Sequence, residues 1–331
     1  MNVTLSKAFD ILRGPLALLV VYLHIDSNPV PLSIFQQDAE DFLYNVIKLF
    51  VAQIANLAVP CFYIISAYLL MYKSEKYLFV LKKKMRSLLL PYIIWNLLAA
   101  IYIKLTQGDN LFSFYDLFIR PANFPLWFLR DLIFLVILSP IFRLLINQLK
   151  QFSLFLFIIL YLMNAQEYLF LSNYESTSVF FFFMGAYWGI LKYDFILSVK
   201  TVIMLAVITV VMYIMSIIFY DTTHGVIQKI WLFLGSFSLI SIINYFVKFV
   251  KLPNILFKVS GCSYFIYLSH KLGFTYIAKY PFSWFHPSEF ILIMKFLVAP
   301  FITVFLCCWV YQVCNKYFPK SFSIVIGKKI K

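Results

Sequence analysis

KTVIMLAVITVVMYIMSIIFY, residues 200–220, is the stretch that decides the fold class. Nothing between Lys200 and Tyr220 is charged. A helix of that length spans the roughly 30 Å hydrocarbon core of a bilayer, which takes about 20 apolar residues. Working outward, comparable runs recur at about 8–25, 46–72, 87–106, 124–146, 151–169, 176–192, 229–248, 259–279 and 290–315. The clearest are 46–72, 200–220 and 290–315; the run at 124–146 is interrupted by Arg130 and Asp131, and those at 151–169 and 176–192 are short. Composition agrees: of 331 residues, 63% are hydrophobic and 13% charged, with mean hydropathy +0.87. Soluble domains are about 45–50% apolar and about 25% charged. A soluble enzyme, a secreted disulfide scaffold and a disordered chain are excluded together. The expected fold is an all-α polytopic membrane protein, a bundle of about ten transmembrane helices forming a single integral-membrane domain over residues 1–331.

Charge placement orients that bundle. The 28 Lys and Arg against 14 Asp and Glu leave a net charge of +14, which in a soluble chain would suggest nucleic acid. Here the cations lie in short loops, so the positive-inside rule explains them and no nucleic-acid partner is expected. With both termini cytoplasmic, Lys7, the block Lys73–Arg86, Arg143, Lys150, Lys192, Lys200, Lys248, Lys251, Lys258 and the tail Lys316–Lys331 fall inside. Asp26, Asp38, Glu40, Asp41, Asp109, Asp116, Glu167, Glu175, Asp221 and Glu289 fall outside, with few cations. Residues 14–23 resemble the apolar part of a signal peptide, but no small-residue cleavage site follows, so a retained first helix is expected. The five cysteines lie in apolar stretches without ligand spacing and read as small core residues.

A charge at the centre of a membrane helix costs at least about 2.5–3.5 kcal/mol, so ionisable residues inside the spans are functional candidates. The first span carries Asp10, Arg13 and His24. Eleven residues from Arg13 to His24 turn a helix by about 1100°, three turns plus about 20°, which puts both on one face about 16 Å apart. Asp10 is one turn before Arg13, within reach of an ion pair. An imidazole titrating near pH 6.5 is the usual general base at neutral pH; at a helix end beside Asp26 it can equally sit idle in the interface. Trp127 suits an interfacial aromatic belt. Arg130 and Asp131 point about 100° apart on a helix, so at least one enters the bundle. Asp131 is then placed to orient a histidine or pair with Arg13. His270 falls near the middle of the ninth span beside Lys271, where a plain packing role is costly. His224 and His286 read as solvated loop residues. No metal-binding spacing, phosphate loop or nucleophile elbow is present, so no metal is expected. The run Lys82-Lys83-Lys84-Met85-Arg86 suits anionic lipid, and also the phosphates of a cytoplasmic cofactor such as coenzyme A.

Several segments in order resemble the bacterial acyltransferase type 3 family. Phe9-Asp10-Ile11-Leu12-Arg13-Gly14 with Val20-Val21-Tyr22-Leu23-His24 is similar to its opening signature of a basic residue, ten others, then histidine. Pro60-Cys61-Phe62-Tyr63-Ile64-Ile65-Ser66-Ala67-Tyr68 resembles the second-helix motif, with Ala67 where Gly is more usual. Leu88-Leu89-Leu90-Pro91-Tyr92 matches the start of the third helix. Trp127-Phe128-Leu129-Arg130-Asp131-Leu132 is similar to the surface polysaccharide O-acetyltransferase subgroup. Phe183-Met184-Gly185-Ala186-Tyr187-Trp188-Gly189 and Tyr267-Leu268-Ser269-His270 resemble later motifs.

The resemblance covers about residues 8–310. It implies ten helices in the bacterial cytoplasmic membrane and transfer of an acyl group, usually acetyl, from coenzyme A to a hydroxyl of an envelope glycan or lipid-linked sugar. By position, it makes His24 the catalytic imidazole with Arg13 and Asp10 as partners, and Trp127, Arg130, Asp131, His270 and Ser66 supporting residues. Two arginines three apart often precede the third helix in the family; here Lys84 and Arg86 are the donor-binding candidates, and Ser87 stands where a second arginine would. The rival expectation is a transporter or flippase for a glycan or lipid-linked sugar.

Overall fold

The computed structural model describes residues 1–26, 41–73, 76–107, 121–163, 175–219, 225–249 and 253–328. Asp38, Glu40, Asp109, Asp116, Arg120, Glu167, Asp221, His224 and Lys251 lie outside them. Among the described residues the chain is helical and contains no strand. In chain order the helices are α1 (Val3–Ile25), α2 (Phe42–Ala55), α3 (Ala58–Tyr72), α4 (Tyr77–Lys84), α5 (Leu90–Gln107), α6 (Trp127–Ile137), α7 (Ser139–Leu149), α8 (Gln151–Leu162), α9 (Glu175–Ile190), α10 (Val199–Ile218), α11 (Val226–Phe246), α12 (Asn254–Ser269), α13 (Thr275–Lys279), α14 (Glu289–Tyr317) and α15 (Pro319–Val325). Wider π-turns join α4 to α5 (Met85–Leu89) and α12 to α13 (His270–Phe274).

Among the described residues, six helical stretches are long and apolar enough to cross a membrane: Val3–Ile25, Phe42–Tyr72, Tyr77–Thr106, Val199–Ile218, Val226–Phe246 and Glu289–Tyr317. A seventh is added if α6 and α7, bent by 56°, are taken as one span. The sequence pattern predicts about ten. The difference lies in the short runs. α8 has 12 residues, about 18 Å of helix, α9 has 16, and the ninth run is divided among α12, a π-turn and α13. The fourth run is not broken where the charges stand. Its bend falls at Leu138, just before Pro140. Proline has no N–H for the carbonyl four residues earlier and its ring clashes there, which bends or breaks a helix. The Tyr77 hydroxyl donates to the Ile137 carbonyl at 2.9 Å, beside this bend.

The described chain divides into two compact units. The first comprises Met1–Phe62, Asp194–Ser263 and Gly273–Cys307. In it, α1 contains Pro15, whose missing N–H would leave the Ile11 carbonyl unpaired inside the helix. Ser260 of α12 resolves this, donating to Ile11 O at 2.9 Å while its oxygen accepts the Gly14 N–H at 3.1 Å. The approach requires glycine, because a Cβ on Gly14 would lie 2.8 Å from that hydroxyl. Elsewhere in the unit, Asn244 of α11 donates to the carbonyls of Asp194 and Phe195 at 3.1 and 2.9 Å. It thereby holds a segment in which Phe195 adopts φ 52° and sets its buried ring edge-on to Phe9 of α1, 6.5 Å between centroids.

The second unit comprises Tyr63–Tyr193, Tyr264–Leu272 and Cys308–Lys331. Gly185 and Gly189 of α9 lie against α3: a Cβ on Gly185 would meet the Ile64 carbonyl oxygen at 2.3 Å, and one on Gly189 the Tyr68 oxygen at 2.7 Å. Small residues four apart let two backbones approach, the usual source of helix association in lipid. The opposite face of α9 is aromatic. Phe183 stacks on Phe157 at 3.9 Å and Phe180 on Tyr161 at 4.1 Å, contacts worth about 0.5–1.5 kcal/mol each beyond their buried area. Phe180 to Phe183 are all buried, so α9 is apolar around its circumference, as an interior helix must be.

Candidate active site

In the first unit, one continuous helix of 23 residues carries Asp10, Arg13 and His24. Near its start, Arg13 Nη1 donates to Asp10 Oδ1 at 3.1 Å, the pairing that a three-residue spacing permits. The side chains keep 35% and 56% of their exposure, so the pair is not sealed within the unit. Gly14 and Pro15 follow at once, so the Ser260 contact fixes the backbone directly beside Arg13.

At the other end of α1, His24 is half-buried and its chain neighbours are tied down on both sides. The Tyr22 hydroxyl donates to Leu297 O at 3.0 Å, and Lys279 Nζ to Ile25 O at 2.9 Å. Asp26 accepts from Lys48 Nζ at 2.6 Å and from the Tyr44 hydroxyl, while the Tyr44 N–H donates to Glu289 Oε1 at 2.9 Å. Two ammonium groups thus sit where the helix leaves its last carbonyls, and cations complement that partial negative charge. The arrangement is an imidazole on a braced helix end with a compensated set of charges around it. It can hold a proton acceptor steady and supply polar contacts to a hydroxyl-bearing ligand.

In the second unit, the buried polar residues centre on the start of α6. Arg130 Nε and Nη2 reach Asp131 Oδ1 at 2.9 and 2.7 Å, with the side chains only 9% and 5% exposed. Both therefore lie inside, where the sequence requires only one, and Asp131 takes its neighbour as an ion-pair partner. The Tyr267 hydroxyl accepts the Leu129 N–H at 3.2 Å and donates to Pro125 O at 2.5 Å, satisfying one free group on each side of the helix start. Asn123 donates to Leu268 O at 2.9 Å. His270 is fully buried and stands at the change from α-helix to π-turn, not within a regular span. Its Nδ1 approaches the Ile266 and Tyr267 carbonyls at 2.9 and 3.0 Å. Carbonyls only accept, so Nδ1 carries the proton.

A family model described as an acyltransferase domain matches residues 6–312. The chain belongs to the acyltransferase type 3 family. Among curated proteins it is similar to the succinoglycan biosynthesis protein ExoH of Rhizobium meliloti (strain 1021), 27% identical over 180 residues, 46% of each chain. The chain thus spans about half the length of that relative. No solved structure matches the chain.

Within this acyltransferase-family chain, Asp10, Arg13 and His24 share the first unit, whereas Ser66, Lys84, Arg86, Trp127, Arg130, Asp131 and His270 belong to the second. Ser66 is half-buried on α3, within the Ile64–Tyr68 stretch whose ends meet the α9 glycines. Trp127 is the half-buried first residue of α6. Lys84 ends α4 half-buried, and Arg86 is exposed in the following π-turn. His286 is exposed. Of the cysteines, Cys61, Cys262 and Cys307 are buried, but Cys308 and Cys314 are only partly so, a departure from the core reading. Among the described residues no three His, Cys, Asp or Glu side chains cluster as metal ligands. Lys48, Tyr44, Lys279, Glu289 and Ser260 escape a reading by sequence alone. A lone Lys48 within an apolar run, and Pro15 within another, are the traces of them that sequence carries.

Proposed function

We propose that the protein transfers an acyl group, acetyl first among candidates, from an acyl-CoA to a sugar hydroxyl of a cell-envelope polysaccharide or its lipid-linked precursor. The family match over residues 6–312 carries this reading, and the name of the succinoglycan biosynthesis relative supports the glycan acceptor. The whole chain acts as one domain in the bacterial cytoplasmic membrane, crossing about ten times with both ends inside. The segregation of its cations supports that orientation.

In this mechanism His24 is the general base. Its unprotonated ring nitrogen takes the proton of the sugar hydroxyl as the oxygen attacks the thioester carbonyl. The tetrahedral adduct expels the CoA thiolate, which recovers that proton from the imidazolium, leaving an O-acyl sugar and free thiol. Attack by His24 itself, through an acyl-histidine, reaches the same products in two steps. Arg13 and Asp10 set the charge on the same helix. Trp127, Arg130, Asp131, His270 and Ser66 support the fold of the second unit; the Arg130–Asp131 pairing suits holding the α6 start more than meeting substrate. Lys84 and Arg86 face donor phosphates as flexible cationic contacts. No metal takes part.

Membranes containing the protein, supplied with radiolabelled acetyl-CoA, should deposit label in an extractable glycan, and membranes without it should not. Label-free glycan with every acyl donor tried, together with protein-dependent movement of a lipid-linked sugar across vesicles, would replace this reading with a transporter.

A further inference from the structure

A cleft of about 200 Å³ opens in the second unit between the end of α3 and the bend ahead of α7. Its floor is apolar, with Leu70, Val80 and Pro140, and two cations, Lys73 and Arg143, line it with Tyr77. Among the described residues no carboxylate lines it. Neither cation is ion-paired among the described residues, and the hydrogen bond recorded for Arg143 is a weak one, Nη2 to the Met71 sulfur at 3.7 Å. Ser139 and Pro140 at the 56° bend between α6 and α7 are among the lining residues, and the Tyr77–Ile137 bond ties the start of α4 to the end of α6.

We infer that this cleft binds a phosphomonoester, and specifically the 3′-phosphate at the nucleoside end of the acyl-CoA donor. The inference rests on the proposed acyl-CoA chemistry and adds a site distinct from Lys84 and Arg86. Three features point there. A phosphomonoester carries about −1.5 to −2 at neutral pH, a charge that the two cations match, whereas a phosphodiester carries only −1. An arginine fork binds phosphate oxygens in bidentate fashion. The volume is below the roughly 300–1,000 Å³ that encloses a whole drug-sized ligand, so it seats one end of a longer molecule. The Tyr77 ring and apolar floor suit a flat base next to that phosphate. Coenzyme A has a single phosphomonoester, and it is the 3′-phosphate.

The test compares CoA with dephospho-CoA, which lacks only that group, on purified full-length protein in neutral detergent. Wild type should bind CoA more tightly, and Lys73→Gln or Arg143→Gln should each weaken CoA roughly 10-fold to 100-fold. Dephospho-CoA affinity should stay unchanged in both variants, which also shows that they fold. If both variants keep the preference for CoA, the cleft is not the site, while the acyl-CoA reading stands. Equal loss of both ligands overturns the 3′-phosphate assignment. Absence of CoA binding by wild type overturns the donor and the assignment together. If phosphatidic acid, a lipid phosphomonoester, raises the melting temperature of wild type but not of the variants and CoA shows no preference, the occupant is a lipid headgroup and the assignment falls.

Discussion

Two arginine–aspartate pairs, chemically alike, occupy opposite environments. Arg130–Asp131 is closed off in the second unit at 2.7–2.9 Å; Asp10–Arg13, at 3.1 Å, retains a third to a half of its exposure in the first. Exposed pairs contribute about 0–1 kcal/mol. Removing one partner of a buried pair leaves an uncompensated charge and costs about 3–5 kcal/mol. The contrast separates a charge pair closed off inside its unit from one that keeps part of its exposure, although both stand in segments that resemble family motifs. Asp26–Lys48 lies between them, its side chains 21% and 7% exposed.

Replacing the three aspartates by asparagine should reproduce that order. Asp131→Asn should be the most damaging, lowering stability by about 3–5 kcal/mol and visible as a large fall in melting temperature in detergent. A loss under about 1 kcal/mol would remove the distinction between the pairs. Asp26→Asn should cost about 1.5–3 kcal/mol, typical of hydrogen bonds to a charged group, with Lys48→Met at the same site a check that the ion pair is responsible. Ser260→Ala should cost about 1–3 kcal/mol by leaving the Ile11 carbonyl unpaired beside Pro15. Restoring an N–H with Pro15→Ala in the same chain should recover part of that, and if it recovers none, the hydroxyl acts otherwise. Asp10→Asn should be the mildest, below about 1 kcal/mol, while acyl transfer declines. Equal effects of Asp10→Asn on stability and transfer would make it a structural pair after all.

The parts of this molecule legible in its sequence are those written within one helix. Asp10 and Arg13 are three apart, so helical geometry alone brings them together, and α10 announces itself as a largely apolar run of 20 residues. Long-range partners are another matter. Asp26, the Tyr44–Lys48 pair one turn apart on α2, Lys279 and Glu289 come from four separate segments, and no local period links one segment to another. Arg130 and Asp131, read as diverging, turn toward each other because a long guanidinium folds back over a single step of helix. The short runs are where sequence and structure give different counts: α8 is as apolar as a span but, with 12 residues, about half as long. Pro140 marks the bend in the fourth run, which falls at Leu138, eight residues past the Arg130 that interrupts its apolar pattern.

His24→Ala, measured for acetyl transfer and thermal stability on the same purified preparation, tests the central claim most directly. The side chain is half-buried, and general-base catalysis supplies about 10²–10⁴-fold. The account predicts a melting temperature within a few degrees of wild type and a transfer rate at least about 100-fold lower. Transfer at the wild-type rate by a stably folded variant would contradict it.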